Sequence, residues 1–411
     1  MVTEWAGSAN RGERNPALSR GTTQTGVRLY NERLVLSLVR LHSSLPKAEM
    51  ARLTGLSAQT VSVIVRQLEA DGLLKRLAPQ RGKVGQPLVP FELDPDGAFA
   101  IGLKVGRRSG DLMLLDLTGK VRRTIHRPYR FPAPQELLSF VRDGIEDLIS
   151  GLDERQRSRI SGLGIASPFE LWNWAEEVGA PLGVMESWRD FDLQSEIGKL
   201  VIWPVHFCND ASAACAAELL FGKGQDYHDF AYFYLGYFIG GGVVLNGSLY
   251  LGTRGNAGAF ASFPVTSRDG KPGQLVHTTS LAALEREIRN AGGDPELLWN
   301  DMSGWQGAGD ALERWIRNAA KDIAIAAAGV VSVLDCAAVV IDGAIPVQVR
   351  ARLVEAVRFA MKGVNTQGIA SFPIIEGTIG ADARAMGAAS LPLFDNFIIN
   401  RNVLFKEEAS C

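Results

Sequence analysis

The chain has 411 residues, enough for two or three domains with a core each, and its 46% hydrophobic and 21% charged residues are ordinary globular composition. No apolar run approaches the roughly 18–20 residues of a membrane span and the N-terminus lacks a signal-peptide core, so a soluble cytoplasmic protein with no membrane partner is expected. The net charge of −2 conceals an asymmetry: residues 1–90 hold 13 Lys/Arg against 6 Asp/Glu (+7), and the remainder 30 against 39 (−9). A basic module ahead of an acidic body is how a nucleic-acid reader joined to a sensing domain looks; the alternative is chance clustering.

Residues 1–25 are rich in Gly, Ser, Thr, Arg and Asn without apolar periodicity, which predicts a disordered arm; Arg11, Arg14 and Arg20 there are either solvated or near phosphates. A winged helix–turn–helix is expected over 26–95. Its first helix spans 27–42, with Leu29, Leu34, Leu36, Leu38 and Leu41 as apolar positions. Pro46 fits a helix N1 position, and Ala48, Met50, Ala51 and Leu53 give the second helix its apolar face. Gly55 makes a tight turn, and Ser57 N-caps a third helix whose apolar face runs through Val61, Ile64, Val65 and Leu68.

That spacing places the third helix in a major groove, and its polar surface residues Ser57, Gln59, Thr60, Ser62 and Arg66 are suited to bases and phosphates. Asp71-Gly72 ends the helix. A short strand over 73–77, the loop 79–87 and a returning strand over 88–93 then form a wing, with Arg81, Lys83 and Gln86 available to a minor groove or backbone. An ordinary helical hairpin would lack that wing.

From residue 96 strands and helices alternate. A strand over 100–105, a turn over 106–109 and a strand over 112–116 form an opening hairpin, and a further strand over 160–166 follows. Asn209-Asp210 opens an Ala-rich helix. A buried strand over 230–235 leads to Gly236 and to Gly240-Gly241-Gly242, whose amides are placed to approach a phosphate, and Asn246-Gly247 marks a hairpin. The cysteines Cys208, Cys215, Cys336 and Cys411 form no CxxC pair, so neither a disulfide framework nor a zinc site follows; no metal or cofactor is expected. Trp172, Trp174 and Trp188 either stack on a sugar ring or belong to a lid or core.

The order of IGLKVG with LLDLTG, GLGIASP, ND before the Ala helix, IGGGVVLNGSLYLGTRGNAG and GADARAMGAAS resembles the ROK family of repressors, open reading frames and sugar kinases. The resemblance implies an α/β body of two actin-like ATPase lobes, over 96–225 and 226–380, with a C-terminal helix and tail over 381–411 packing back on the first lobe. It implies a sugar in the cleft and dimers or tetramers, and it makes Asp210 equivalent to the base that deprotonates a sugar hydroxyl. Asn209, Asn256 and Gly258 join Asp210 as expected effector-binding residues. Asp210 has a second reading, as a helix cap.

Several groups that phosphoryl transfer requires in that family are replaced. Lys104 stands where a phosphate-end carboxylate belongs, Arg107-Arg108 fill a turn that is small in the kinases, and Tyr237-Phe238 sit in the second phosphate loop. Asp342-Gly343 replaces a Gly-Gly pair, and Ala259-Phe260-Ala261-Ser262 replaces the Glu-x-Gly-His of the sugar and zinc sites. Residues 267–274 carry no cysteine. The Arg107 and Arg108 side chains are either surface charges or contacts for an anion.

The expectation is therefore a homo-oligomeric, DNA-binding transcriptional regulator, a repressor of carbohydrate uptake or catabolism genes with no catalytic residues. It takes double-stranded operator DNA and a sugar-like effector as partners. Two alternatives remain at the sequence level: a bifunctional DNA-binding sugar kinase, and a constitutive DNA-binding protein with a vestigial cleft.

Overall fold

The computed structural model describes residues 23–80, 88–175, 179–266, 270–300 and 303–399. The expected arm before residue 23, the wing residues Arg81, Lys83 and Gln86, and the tail from residue 400 lie outside the described residues. The chain divides into two units, Met1–Leu93 with Phe397–Cys411, and Asp94–Asn396.

The first unit contains helices α1 (Gln24–His42), α2 (Lys47–Thr54) and α3 (Ala58–Ala70), and strands β1 (Leu45–Pro46), β2 (Leu74–Arg76) and β3 (Pro90–Leu93) in the sheet order β1-β3-β2. Helix α1 starts earlier than expected because Thr23 caps it, its Oγ1 accepting from the Gly26 amide at 2.9 Å. Its buried face also differs. Val35, Leu36 and Val39 are buried whereas Leu29 and Leu41 are exposed, because the face turned to the core is set by packing against its neighbours rather than by the count of leucines. Pro46 occupies the N-cap position rather than N1, and its extended backbone pairs with Pro90 before the helix starts at Lys47.

Gly55 takes a left-handed φ of +71°, and its amide reaches Ala51 O; that turn re-aims the chain for Ser57, the N-cap of α3. Met50, Val61, Ile64, Val65, Leu68, Leu74 and Phe91 are buried in this unit. Strand pairing begins with the bridge Gln80–Leu88. The Ile399 amide donates to Ser37 Oγ at 3.2 Å, so residues 397–399 belong with this unit rather than with the first lobe as expected.

The second unit repeats one sheet plan. Strands β4 (Phe99–Val105), β5 (Ser109–Asp116), β6 (Val121–Pro128), β7 (Ile160–Ser167) and β8 (Val205–Asn209) lie in the order β6-β5-β4-β7-β8. Strands β9 (Phe230–Leu235), β10 (Ile239–Leu245), β11 (Ser248–Tyr250), β14 (Ala338–Gly343) and β15 (Ile374–Glu376) lie in the order β11-β10-β9-β14-β15. In each sheet the first three strands form an antiparallel meander, and the last two run parallel to its inner strand. A small pair, β12 (Pro264–Thr266) with β13 (Pro272–Gln274), stands where the family's cysteine loop was expected. Asn246 and Gly247, at φ +55° and +66°, make the β10–β11 turn.

Side-chain alternation divides each strand between two faces. Ile101, Leu103 and Val105 pack with α4 (Pro134–Ile149) in the first-lobe core. The intervening Gly102 faces the C-terminal helix Ala383–Phe397, and a Cβ there would lie 2.3 Å from Ala385 O. Gly164 and Gly387 act alike, with hypothetical Cβ atoms 1.9 Å from Ala388 O and 1.8 Å from Ala213 O. The C-terminal helix is thus seated backbone to backbone on the first sheet and on the helix Asp210–Phe221.

The alanines Ala214 and Ala217 of Asp210–Phe221 pack against Phe230, Tyr232 and Tyr234 of the second sheet, so this helix belongs to the lobe after it, although the expected boundary lay at residue 225. Leu312, Trp315, Ile316, Ala319 and Ile323 of the helix Gly309–Leu334 are buried inside the second-lobe core.

Candidate nucleic-acid interface and effector cavity

Helix α3 carries a clear division of labour. Val61, Ile64, Val65 and Leu68 are buried, and Ser57, Gln59, Thr60 and Arg66 are exposed. Ser57 Oγ accepts from the Thr60 amide at 3.1 Å and lies 2.8 Å from the Thr60 hydroxyl, so both residues stiffen the N-terminal turn while remaining on its surface. Ser62 is only half-exposed, and its Oγ accepts from Lys47 Nζ at 3.4 Å.

Two residues were not singled out from the sequence. Lys47 brings a cation from the start of α2 to the side of α3, where it suits a phosphate. Val63, 59% exposed, shares the outer face with Gln59 and Arg66 by helical spacing, and a bare methyl pair there suits a thymine methyl. Below the wing, Lys75 pairs with Glu92 at 3.0 Å and Arg76 with Glu69 at 3.1 Å, which fixes the base of the β2–β3 hairpin.

In the second unit, all four expected effector residues line one cavity of about 310 Å³: Asn209, Asp210, Asn256 and Gly258. Asn209 is the cap of its helix, its Oδ1 accepting from the Ala211 and Ser212 amides at 3.0 and 3.3 Å, which leaves its amide Nδ2 as the group it can offer a ligand. The N-cap is thus Asn209, and Asp210 follows it in the first helical turn, where a carboxylate is favourable. The Asp210 carboxylate accepts from Arg384 Nη1 at 3.2 Å, and both side chains are 16% exposed at the cavity wall. Arg384 also lies over the Tyr234 ring, 5.2 Å from its centre, and burial pushes the Tyr234 hydroxyl up to about 12, so it stays a neutral phenol.

Gly258, at φ +80°, lets its loop touch β10, where a Cβ would fall 2.6 Å from Gly242 Cα. The glycines 240–242 lie in β10, and Gly240 and Gly241 also line the cavity. They pair across β10–β9 with Tyr234, Phe233 and Tyr232, and they admit Ala211, Phe260 and Cys215 as close neighbours.

The far end of the cleft is a further cavity of about 330 Å³ lined by charged side chains. Lys104, 8% exposed, donates to Ser109 Oγ at 2.8 Å and to the Asp111 carboxylate, which also meets His126. Burial, with repulsion from Arg384, pushes the Lys104 ammonium down to about 8 against the attraction of Asp111. Beside it the Arg107 guanidinium lies 3.5 Å from the centre of the Phe238 ring and 4.6 Å from that of Tyr237. Arg108 forms a forked pair with Glu296 at 2.9 and 3.0 Å and lies over Trp299.

Through these two arginines the turn after β4 reaches across to the second lobe, and both also line a further cavity of about 840 Å³ together with Arg130 and Arg289. Asp342 is equally committed, accepting from Arg350 Nη1 at 2.7 Å, the Gly380 amide at 2.9 Å and the Tyr232 hydroxyl at 3.1 Å. Phe260 stacks on Phe233 at 4.4 Å, between Ala259 and Ser262, which stand at the positions of the expected Glu and His. Among the described residues no group of three His, Cys, Asp or Glu is arranged to hold a metal. Trp188 is core, its Nε1 donating to Pro132 O at 2.9 Å, while Trp172 is half-buried.

A family model described as the ROK family matches residues 100–393, and one described as winged helix-turn-helix DNA-binding matches residues 28–75. The chain is 28% identical to the xylose repressor of Bacillus spizizenii over 57% of this chain and 60% of that one. It is 24% identical to the DNA-binding transcriptional dual regulator NagC of Escherichia coli over 68% of this chain and 67% of that one. A solved ROK family transcriptional regulator, a homologue of the Escherichia coli MLC protein, matches in fold with a TM-score of 0.64 at 20% identity, covering 92% of this chain and 99% of that one. With its N-terminal winged helix–turn–helix ahead of two lobes of repeated topology, this chain belongs to the ROK family.

Proposed function

We propose that the protein is a DNA-binding transcriptional repressor of carbohydrate uptake or catabolism genes, modulated by a sugar-like effector in the cavity between its lobes. Its relatives' names, a xylose repressor and a transcriptional regulator, support the regulatory reading. One observation carries the choice of regulator over enzyme. The sugar cavity with Asp210 persists, whereas the adjoining cavity of about 330 Å³ at the phosphate end is lined by the Lys104–Asp111 pair and by Arg107, which stacks on Phe238.

A nucleoside triphosphate needs a metal-bearing carboxylate and open backbone amides there. A buried cation and two aromatic rings give it neither. Asp210, Asn209, Asn256 and Gly258 form the effector set, and Ser57, Gln59, Thr60, Ser62 and Arg66 the DNA set, joined by Arg81, Lys83 and Gln86 of the wing.

The protein works in the cytoplasm as a homodimer or homotetramer, because a two-fold operator requires two reading heads. Effector binding acts by favouring one arrangement of the lobes, which requires unequal affinity for the two.

The test is a gel-shift titration of the full chain on the upstream DNA of neighbouring transport genes, with and without a panel of sugars, run beside an ATP-consumption assay. Sugar-dependent release of the DNA without turnover is expected. Sugar-dependent ATP turnover abolished by Asp210→Asn would establish a kinase and overturn the regulator-only reading. DNA binding indifferent to every sugar would leave a constitutive binder.

A further inference from the structure

The sugar cavity has a neighbour on the side of the first lobe. Pro168, Phe169 and Glu170 line it and also line a second hollow of about 270 Å³, whose wall continues through Trp172, Phe191 and Phe207. Phe169 and Phe207 are 46% and 45% exposed, so two phenyl rings meet solvent at one rim. The floor beneath them is rigid: Trp188 is buried and meets Phe191 edge to face at 5.5 Å.

The junction between the hollows is strained. Glu170 holds φ +50° and ψ +54°, a left-handed conformation rare for a residue with a side chain, and its carboxylate accepts from Asn173 Nδ2 at 2.8 Å. Strain of this kind persists where surrounding structure imposes it, commonly at ligand clamps. At the rim, Asp192 and Gln194 are held in place, the first capping its helix through the Ser195 amide and the second donating to Val205 O at 2.7 Å.

We propose that this aromatic hollow is a second sugar subsite and that the effector is a disaccharide. A pyranose ring presents a face of C–H bonds that matches the electron-rich face of an aromatic ring, and its hydroxyl edge needs polar neighbours. The second hollow has that composition, aromatic walls with a polar rim. The first has the complementary set, Asp210 with Asn209 and Asn256, for gripping hydroxyls. Each hollow has about the volume for one ring, close to the lower bound of roughly 300 Å³ for small-molecule sites. The shared residues 168–170 place the two end to end. This inference rests on the sugar reading of the first cavity.

Calorimetric titration of the full chain with the matched pairs xylose and xylobiose, glucose and cellobiose, and N-acetylglucosamine and its β-1,4 dimer tests it. Phe207 touches only the second hollow, so its substitution separates the two readings. In at least one pair the disaccharide is expected to bind about tenfold tighter than its monosaccharide. Phe207→Leu, which keeps the apolar bulk without a ring face, removes that advantage and leaves the monosaccharide unchanged; Phe207→Trp preserves it. A disaccharide no tighter than its monosaccharide, or an advantage that survives Phe207→Leu, overturns the subsite and leaves the cavity reading standing. Absence of binding by any of the six sugars overturns both.

Discussion

Replacing Asp210 by Asn keeps the shape of the cavity wall and removes one charge, so its two consequences can be calculated separately. The Arg384 guanidinium loses its carboxylate partner at 3.2 Å. Breaking a fully buried pair costs about 3–5 kcal/mol. Here both side chains are 16% exposed and the new amide oxygen still accepts, so about 2 kcal/mol is expected. At roughly 2–4 °C per kcal/mol, the melting temperature should fall by about 4–8 °C.

The effector loses more selectively. A hydroxyl bound to a carboxylate contributes about 1.5–3 kcal/mol, against about 0.5–1.5 kcal/mol for a neutral acceptor. The difference of about 1–2 kcal/mol lowers affinity about fivefold to thirtyfold. Calorimetry with the best-binding sugar measures this directly, and thermal unfolding without sugar measures the first effect. Operator affinity without sugar should stay within about twofold, since α3 belongs to the other unit. Sugar affinity within about twofold of the parent protein would refute the assignment of Asp210 to the effector.

Lys104 should give the protein an alkaline stability gain. Its folded pKa of about 8 lies below the unfolded value of 10.5, so between those values the unfolded chain binds more protons and stability rises with pH. The penalty for holding the ammonium charged is complete below pH 8 and relieved above 10.5. About 1 kcal/mol should appear between pH 7 and 9 in denaturant unfolding and vanish in Lys104→Met; equal slopes in the two proteins would contradict it. On α3, Gln59→Ala should weaken operator binding by about 1–3 kcal/mol with stability nearly unchanged, because the side chain is exposed. Ser57→Ala should in addition cost about 1 kcal/mol of stability through the lost cap, as read by denaturant unfolding. Gly387→Ala should destabilise the body by at least about 1–3 kcal/mol, because its Cβ would meet Ala213 O at 1.8 Å; an unchanged melting temperature would show that the helix seat is looser than described.

The parts of the molecule legible in the sequence were those fixed by local rules. The Ser57 cap, the Gly55 turn, the Asn246-Gly247 hairpin and the strand over 230–235 each declare themselves within a few residues. Asn209, Asp210, Asn256 and Gly258, which the family's motifs carry, were also legible as a group, and they line one cavity. Contacts between distant segments were not legible. Nothing in Gly-Arg-Arg-Ser announces that Arg107 will lie on Phe238 or that Arg108 will reach Glu296, 188 residues away. The glycine run 240–242 is ambiguous in the sequence for a related reason. Lack of a side chain is needed both to receive a phosphate and to admit a neighbouring helix, and only the fold shows which is in use. On α1, leucine frequency pointed to the wrong stripe because Val35 and Val39 are the residues turned inward.

The Lys104–Asp111 contact has a consequence for how this lineage can evolve. A single substitution Lys104→Asp, the change that would return a carboxylate to the phosphate end, would press a second negative charge against Asp111, whose side chain is only 14% exposed. The intermediate would lose the one ammonium held there and gain a repulsion in its place, while Arg107 still lay across the Phe238 ring. A phosphate end with a free carboxylate would thus demand several changes together, each harmful alone, so that this end of the cleft resists stepwise alteration.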